Sequence, residues 1–288
     1  MAHASIDALV SPILNDLRER WWNDEFTEFL TETLRPRPGN RILDVGCGPG
    51  TAEVQIGRLH VSQLGLFGID LRLDRVVQAR DAAAAHNLRA EFAAADACRL
   101  PFLSSAFDST YCVTVLQRVC DVDTAVAELA RVTRPGGRVV VVEPDNAARF
   151  AYSSLPAGIT AFEAAARFFA ALAAARGDAT DQSIGPKLPA LFARHGLDPI
   201  QVRLFPVSHT RLGAPAGEVW AERHSAAHRA LEQAVSSGAS DQSDVVVLGR
   251  EYAAALRAYE ASARAQGPIF VEIQHTMLFG TIGQREHG

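Results

Sequence analysis

The sequence predicts a doubly wound α/β fold, a mostly parallel sheet with helices on both faces. Three observations carry that expectation. Arg41 to Val45 is a short apolar run that ends in Gly46, Gly48 and Gly50, and from Thr51 the pattern turns helical. From there to Glu143, short apolar runs alternate with helical stretches, the order that builds β-α-β units. An acidic residue, Asp70, stands where the second run ends, at the edge where open α/β sheets bind ligands.

The glycine loop is the stretch around which the rest is arranged. Its glycines let a backbone turn tightly and approach a ligand, and its N–H groups can donate to that ligand. A dinucleotide fingerprint needs a third glycine where Thr51 stands, and Pro49 removes one amide, so the loop is a poor cradle for a diphosphate. What is present is G-x-G-x-G, preceded two residues earlier by Asp44.

The elements follow in order. Residues 5–34 read as two helical pieces. The first carries Ile6, Leu9, Val10, Ile13, Leu14 and Leu17, and the second Phe26, Phe29, Leu30, Thr33 and Leu34. Trp21 and Trp22 at the join either pack on the core or serve as a lid. Pro36, Pro38 and Gly39 precede the first strand. After the loop come a helix over about 51–59 and a strand from Gly65 to Ile69. Asp70 can accept from both ribose hydroxyls of a nucleoside or cap the helix beginning near Leu73, and Leu71 is placed against one face of an adenine. That helix turns Leu73, Val76 and Val77 inward and ends near Asn87.

A third strand spans Arg89 to Ala95 and a fourth Ser109 to Leu116, with Val113 to Val119 completing its end. Asp121 to Asp123 opens a helix with Val126, Leu129 and Val132 on one face, and Arg138 to Glu143 is a fifth strand. Beyond it, Thr160 and Glu163 read as a capping box opening a helix that ends at Gly177. Pro186 starts another helix, which ends at Gly196. Ile200, Val202 and Leu204 alternate as a sixth strand. Helices over about 216–235 and 244–266 flank a polar stretch at 236–240, and Ile269 to Phe279 is the last strand.

The string Leu43-Asp44-Val45-Gly46-Cys47-Gly48-Pro49-Gly50-Thr51 resembles the first motif of class I S-adenosylmethionine-dependent methyltransferases. Ala95-Asp96-Ala97 with the strand to Leu116 resembles their third and fourth motifs, and Arg134-Pro135-Gly136-Gly137 resembles the turn before their fifth strand. The likeness covers about residues 40–145 with the motifs in order, and it is to the small-molecule branch that includes quinone-biosynthesis enzymes. It implies a Rossmann-like methyltransferase fold of seven strands, the last antiparallel, with helical cap insertions.

The resemblance also implies a bound S-adenosylmethionine, released as S-adenosylhomocysteine. Carried over residue by residue, it gives a cofactor set of Asp44, Gly46, Cys47, Gly48, Gly50, Thr51, Asp70, Leu71, Asp96, Ala97 and Leu116. Asp96 caps the adenine amino group, and the Ala97 amide meets a ring nitrogen. Where the branch often has Leu-His-His, this chain has Leu116, Gln117 and Arg118; Gln117 can orient an acceptor but cannot take a proton near neutral pH. Gln117, Glu143, His209 and His275 are the acceptor-side candidates.

The implied division is a helical lid over 1–38, a cofactor-binding core over 39–146, a cap insertion over 147–184, a core helix and strand over 185–206, a second cap insertion over 207–267, and the last strand and tail over 268–288. An aromatic-lined cap with Trp21, Trp22, Phe162, Phe168, Phe169 and Trp220 suits a moderately apolar small-molecule acceptor. Two other classes stay in view: a protein that only binds adenosylmethionine, and a nicotinamide-dependent oxidoreductase.

Composition narrows the partners. The 288 residues are 48% hydrophobic and 21% charged, with a net charge of −5. One lysine, Lys187, and scattered arginines make no basic run, which argues against a nucleic-acid or anionic-membrane partner. Met1 to Ser5 does not begin a signal peptide, and no apolar run reaches the length that spans a bilayer, so a cytoplasmic enzyme is expected. Cys47, Cys98, Cys112 and Cys120 form no C-x-x-C pair. His224 and His228 have the spacing of metal ligands but no third partner, so no metal is expected. A homodimer is compatible with the sequence.

Overall fold

The computed structural model describes residues 22–176, 180–236 and 244–286. The proposed first helix, Trp21, Gly177 and most of the polar stretch at 236–240 lie outside the described residues. The described chain forms two compact units. A sheet unit comprises 22–148, 180–206 and 277–286, and a helical unit comprises 149–176, 207–236 and 244–276.

The sheet unit opens with helix α1 (Asp24–Leu34), capped by Asn23, whose side chain accepts from Phe26 N at 2.9 Å. Its apolar stripe is buried as the periodicity requires. Trp22 meets Phe26 edge-on at 5.0 Å between ring centroids, and Phe29 meets Phe205 at 4.8 Å. Trp22 therefore packs with aromatic side chains, the plainer of its two readings.

Strand β1 (Arg41–Val45) is followed by α2 (Thr51–Gly57), β2 (Gly65–Asp70), α3 (Leu73–Ala85), β3 (Ala90–Ala94) and β4 (Phe107–Val113). Then come α4 (Val122–Val132), β5 (Thr133–Ser153), α5 (Pro156–Arg176), α6 (Leu188–Arg194), β6 (Gln201–Leu212), α7 (Gly217–Ser236), α8 (Asp244–Gln266) and β7 (Val271–Gln284). The seven strands lie in the order β3-β2-β1-β4-β5-β7-β6, and the pairings from β3 to β5 are parallel. Gly136 N donates to Arg285 O at 2.8 Å near the start of β5, and Ser154 N donates to Val271 O at 2.9 Å just past its end. β7 therefore runs antiparallel to β5, as the resemblance implies.

Central strands buried on both faces explain the apolar run of β5, where Val139 to Val142 are all fully buried. Val139 and Val141 join Leu43, Val45, Leu116, Val126, Leu129 and Phe192 in one core cluster of the sheet unit. A separate cluster of Ala161, Phe168, Trp220, Ala230, Leu256 and Tyr259 forms the core of the helical unit.

Several boundaries differ from the sequence reading, each for a local reason. β4 stops at Val113, because Thr114 takes φ 58° and Leu116–Arg118 then close a 3-10 turn. α3 buries Val76, but Leu73 and Val77 are 64% and 47% exposed, so its inner face is Val76, Ala79 and Ala83. α5 begins at Pro156, ahead of the expected capping box, and Thr160 Oγ1 donates back to Pro156 O at 3.2 Å instead of capping. β6 continues to Leu212 as a sheet-edge strand, with Val202 and Leu204 exposed. β5 and β7 also extend further, to Ser153 and Gln284, than the apolar runs alone indicate.

One composition reading also needs correction. Pro156–Ala175 is long and apolar enough, by length and composition, to cross a membrane. Here the helix buries Ala161, Ala164, Phe168 and Leu172 in the helical unit's core.

Candidate functional site

The glycine loop is built by three left-handed residues with different reasons for lacking a side chain. Gly46 has φ 85°, and a Cβ there would lie 2.1 Å from Val115 Cγ2. Gly50, at φ 82°, faces the α3 backbone, with Ala79 Cα 3.0 Å from where its Cβ would be. Gly48, at φ 54°, has nothing within 4 Å of that position. The first two glycines therefore serve packing, and Gly48 leaves the space that a ligand can use.

Asp70 ties this loop to the end of β2. Its Oδ2 accepts from Gly48 N at 3.0 Å, and its Oδ1 accepts from Arg72 N at 2.9 Å. Each carboxylate oxygen can accept a further bond, so Asp70 keeps capacity for two hydroxyls. Asp70 does not cap α3, as one of its sequence readings expects: Arg72 is the N-cap, with no side-chain cap hydrogen bond, and the Asp70 bond goes to the Arg72 amide ahead of the helix. Leu71 beside it is 72% exposed, a free apolar face next to that carboxylate. Asp96 is exposed at the end of β3; its Oδ1 accepts from Cys98 N at 2.9 Å. Ala97 is buried. Thr51 opens α2, and Cys47 lies buried under the loop, its amide donating to Ile69 O at 2.8 Å.

Asp44 is 4% exposed and sits with two groups that the sequence reading did not single out, Glu53 and Tyr111. Burial pushes the Asp44 carboxyl up to about 8, and it holds Glu53 well above the usual carboxylate range. The neighbouring negative charge adds to both. Two carboxyls cannot both ionise in such a place, so the pair retains a proton. Gly68 makes the room, since a Cβ there would lie 2.6 Å from Glu53 Oε1. The signal was available: Glu53 falls on the inward stripe of α2, beside Ala52 and Ile56.

Glu143, one of the acceptor-side candidates, is turned to backbone amides. It is fully buried, and its carboxylate accepts from the amides of Val115 at 2.7 Å, Leu116 at 2.6 Å and Gln117 at 3.4 Å. Gln117 is also enclosed: its Oε1 accepts from Asn146 Nδ2 at 3.3 Å, and its backbone O from Gln182 Nε2 at 3.0 Å. Asn146 and Gln182 were not foreseen. They lie where the pattern thins and carry no periodic signal. The end of β4 thus holds amides and carbonyls rather than a base.

In the helical unit, His209 is 6% exposed and Arg211 Nη2 lies 3.4 Å from its Nε2. A guanidinium can only donate, so that imidazole nitrogen is an acceptor. His275 is half-buried, on the opposite face of β7 from Glu272, Gln274 and Thr276. His224 lies 2.6 Å from Glu260 and His228 3.4 Å from Glu232, so the two histidines have separate carboxylate neighbours. Among the described residues no group of His, Cys, Asp and Glu could hold a metal.

Residues 42–137 match the family model described as a methyltransferase domain. An O-methyltransferase of Penicillium expansum is 32% identical over 120 residues, 42% of this chain and 44% of that protein. A demethylmenaquinone methyltransferase of Mycobacterium marinum is 32% identical over 135 residues, 47% of this chain and 53% of that protein. The chain spans about half the length of the curated relatives it matches. Among solved structures, that of the [4+2]-cyclase SpnF superposes with a TM-score of 0.52 at 20% identity, over 98% of this chain and 94% of that one. In its sheet order, its tethered glycine loop and these matches, the α/β core is similar to the methyltransferase domains.

Proposed function

We propose that this chain transfers the methyl group of S-adenosylmethionine to a small-molecule acceptor. The observation that carries the reading is the Asp70 carboxylate bound to the Gly48 amide, with open space at Gly48 and an exposed Leu71 beside it. Those residues fit a nucleoside: Asp70 for the ribose hydroxyls, Leu71 for one face of the base, and Asp96 with the Ala97 amide for its edge. The loop suits a cation better than a diphosphate. The Asp70 carboxylate, held at the Gly48 amide, places negative charge at the loop. The cofactor's methionine end carries a sulfonium and an ammonium, which that field attracts. A nicotinamide dinucleotide would bring a diphosphate into it.

The bound cofactor would supply an activated methyl group. The protein's part is to bind, orient and exclude water, and alignment of reacting atoms is worth about 7–11 kcal/mol. Positioning carries the reaction in this reading, because Glu143 and Gln117 are engaged with backbone and amide partners. The likeness to a cyclase favours one alternative, use of the same core for a reaction other than methyl transfer, since fold does not fix function.

Calorimetric titration with S-adenosylmethionine, S-adenosylhomocysteine and NADH tests the reading, with Asp70→Ala in parallel. Micromolar binding of the sulfur nucleosides that is lost in the variant supports it. NADH binding without a response to either nucleoside overturns it.

A further inference from the structure

We propose that Asp44 and Glu53 form a proton-linked counter-ion for a cation bound at the glycine loop. Asp44 is neutral in the free protein and loses its proton to solvent when the positive methionine end of S-adenosylmethionine binds. The neutral carboxyl of Glu53 then holds it as a carboxylate. This rests on the reading of the loop as the site of that nucleoside, and it adds Glu53, which lies outside the cofactor set that the resemblance implies.

The pair is built by packing within the sheet unit. Asp44 on β1 and Glu53 in the first turn of α2 are 4% and 1% exposed. Gly68 pairs with Asp44 across β1 and β2, and its missing side chain leaves the space that Glu53 Oε1 fills. Both oxygens of Glu53 are buried without an N–H or hydroxyl donor, and the group they face is the Asp44 carboxyl. Glu143 shows the contrast, because it is equally buried and three amides donate to its carboxylate. An ionised carboxylate only accepts, so two carboxyls in contact need a proton between them. Glu53, the deeper of the two, keeps that proton and donates it to Asp44.

The surroundings hold Asp44 neutral as well. The titratable groups that face the pair are Tyr111 on β4, Asp70 at the end of β2 and Cys47 in the loop, and none of them is basic. On α3, Arg80 is turned to Phe92 O at 2.7 Å. Burial first, and then the Asp70 carboxylate, push Asp44 up to about 8. A cation reverses that balance, since an opposite charge favours the ionised form. The place for one is the loop, where Gly48 leaves open space and Asp70, which acts on Asp44, accepts from the Gly48 amide. Once ionised, Asp44 has two neutral donors beside it, the Glu53 carboxyl and the buried Tyr111 hydroxyl. The free protein thus carries no buried carboxylate without a partner, and the charge appears with the ligand that needs it.

The test titrates the full chain by calorimetry with S-adenosylmethionine and with 5′-methylthioadenosine, which keeps the nucleoside and lacks both positive groups. Each titration is run in two buffers of different ionisation enthalpy, which counts protons. The interval is about pH 5.5–7, below the α-amino titration of the ligand itself near 7.7–8.0. S-adenosylmethionine is expected to release about half a proton or more, with affinity rising about three- to tenfold per pH unit, and methylthioadenosine to release none. Asp44→Asn should abolish the release and keep methylthioadenosine binding. Glu53→Gln, which retains a neutral donor, should keep the release. Glu53→Met should weaken S-adenosylmethionine about tenfold and leave methylthioadenosine unchanged. No proton release in wild type, equal release with methylthioadenosine, release that survives Asp44→Asn, or wild-type S-adenosylmethionine affinity in Glu53→Met each overturns the proposal. Failure of the wild type to bind either nucleoside would instead strike the methyltransferase reading.

Discussion

The carboxylate of Glu143 in β5 accepts from the amide of Leu116 at 2.6 Å, so the turn after β4 hangs from the neighbouring strand. Thr114 enters that turn in the left-handed region, and its own amide donates to Val142 O at 2.8 Å. A buried acid thus fixes the backbone of Leu116, which the family resemblance assigns to the cofactor.

Replacing Glu143 by Gln should therefore loosen the turn rather than remove a base. The substitution turns an amide nitrogen toward one or two of the three backbone donors and removes their charged acceptor. Hydrogen bonds to a charged group contribute about 1.5–3 kcal/mol. A stability loss of that order is expected in urea unfolding, with weaker S-adenosylhomocysteine binding. Unchanged stability with kcat abolished would mean that Glu143 acts on the acceptor directly.

Gly46 and Gly48 should separate fold from ligand. Gly46→Ala puts a methyl 2.1 Å from Val115 Cγ2 and should lower the thermal midpoint sharply. Gly48→Ala meets open space, and its left-handed backbone costs about 1–2 kcal/mol. The second variant should fold and lose most of its affinity for S-adenosylhomocysteine. Calorimetry on both distinguishes the roles, and normal nucleoside binding by Gly48→Ala would place the ligand elsewhere.

How much of this was legible in the sequence follows from where local pattern governs structure. β1 to β5 and the glycine loop were readable because strand period, turn residues and motif spacing agree there. α7 and α8 were placed within about a residue by their apolar stripes. Leu73 and Val77 were misassigned because α3 buries only a narrow alanine-lined stripe, so apolar identity overstated burial. The amide partners of Glu143 were not legible because its position at a strand's end is local, whereas the three amides come from another segment. Glu53 matters through its buried pairing with Asp44, a property of the folded environment that periodicity does not encode.

The Asp44–Glu53 pair makes stability depend on pH. Burial raises Asp44 to about 8 and Glu53 also upward, so the folded state holds protons that the unfolded chain releases. Where the native state binds more protons, unfolding free energy falls as pH rises. From these two groups the loss begins near the ordinary carboxylate range, about pH 4, and continues as pH rises through the folded value of Asp44. Glu143, raised to about 7, adds in the same direction. Glu53→Gln should flatten this slope without abolishing it. Urea unfolding of both proteins across that interval checks it; the same flat profile in both would show the pair fully ionised.

The Arg223–Glu272 pair should behave as a coupled unit. Arg223→Met leaves a fully buried carboxylate with only Tyr259 and Gln274 as donors, and breaking a buried pair from one side costs about 3–5 kcal/mol. Glu272→Met strands the guanidinium over Trp220 and should cost a similar amount. The double variant removes both charges and leaves only neutral groups unpaired, so its cost should fall well below the sum of the single changes. A double-mutant cycle by urea unfolding measures the difference. Additive costs would mean that Tyr259 and Gln274, rather than the ion pair, hold this part of the helical unit together.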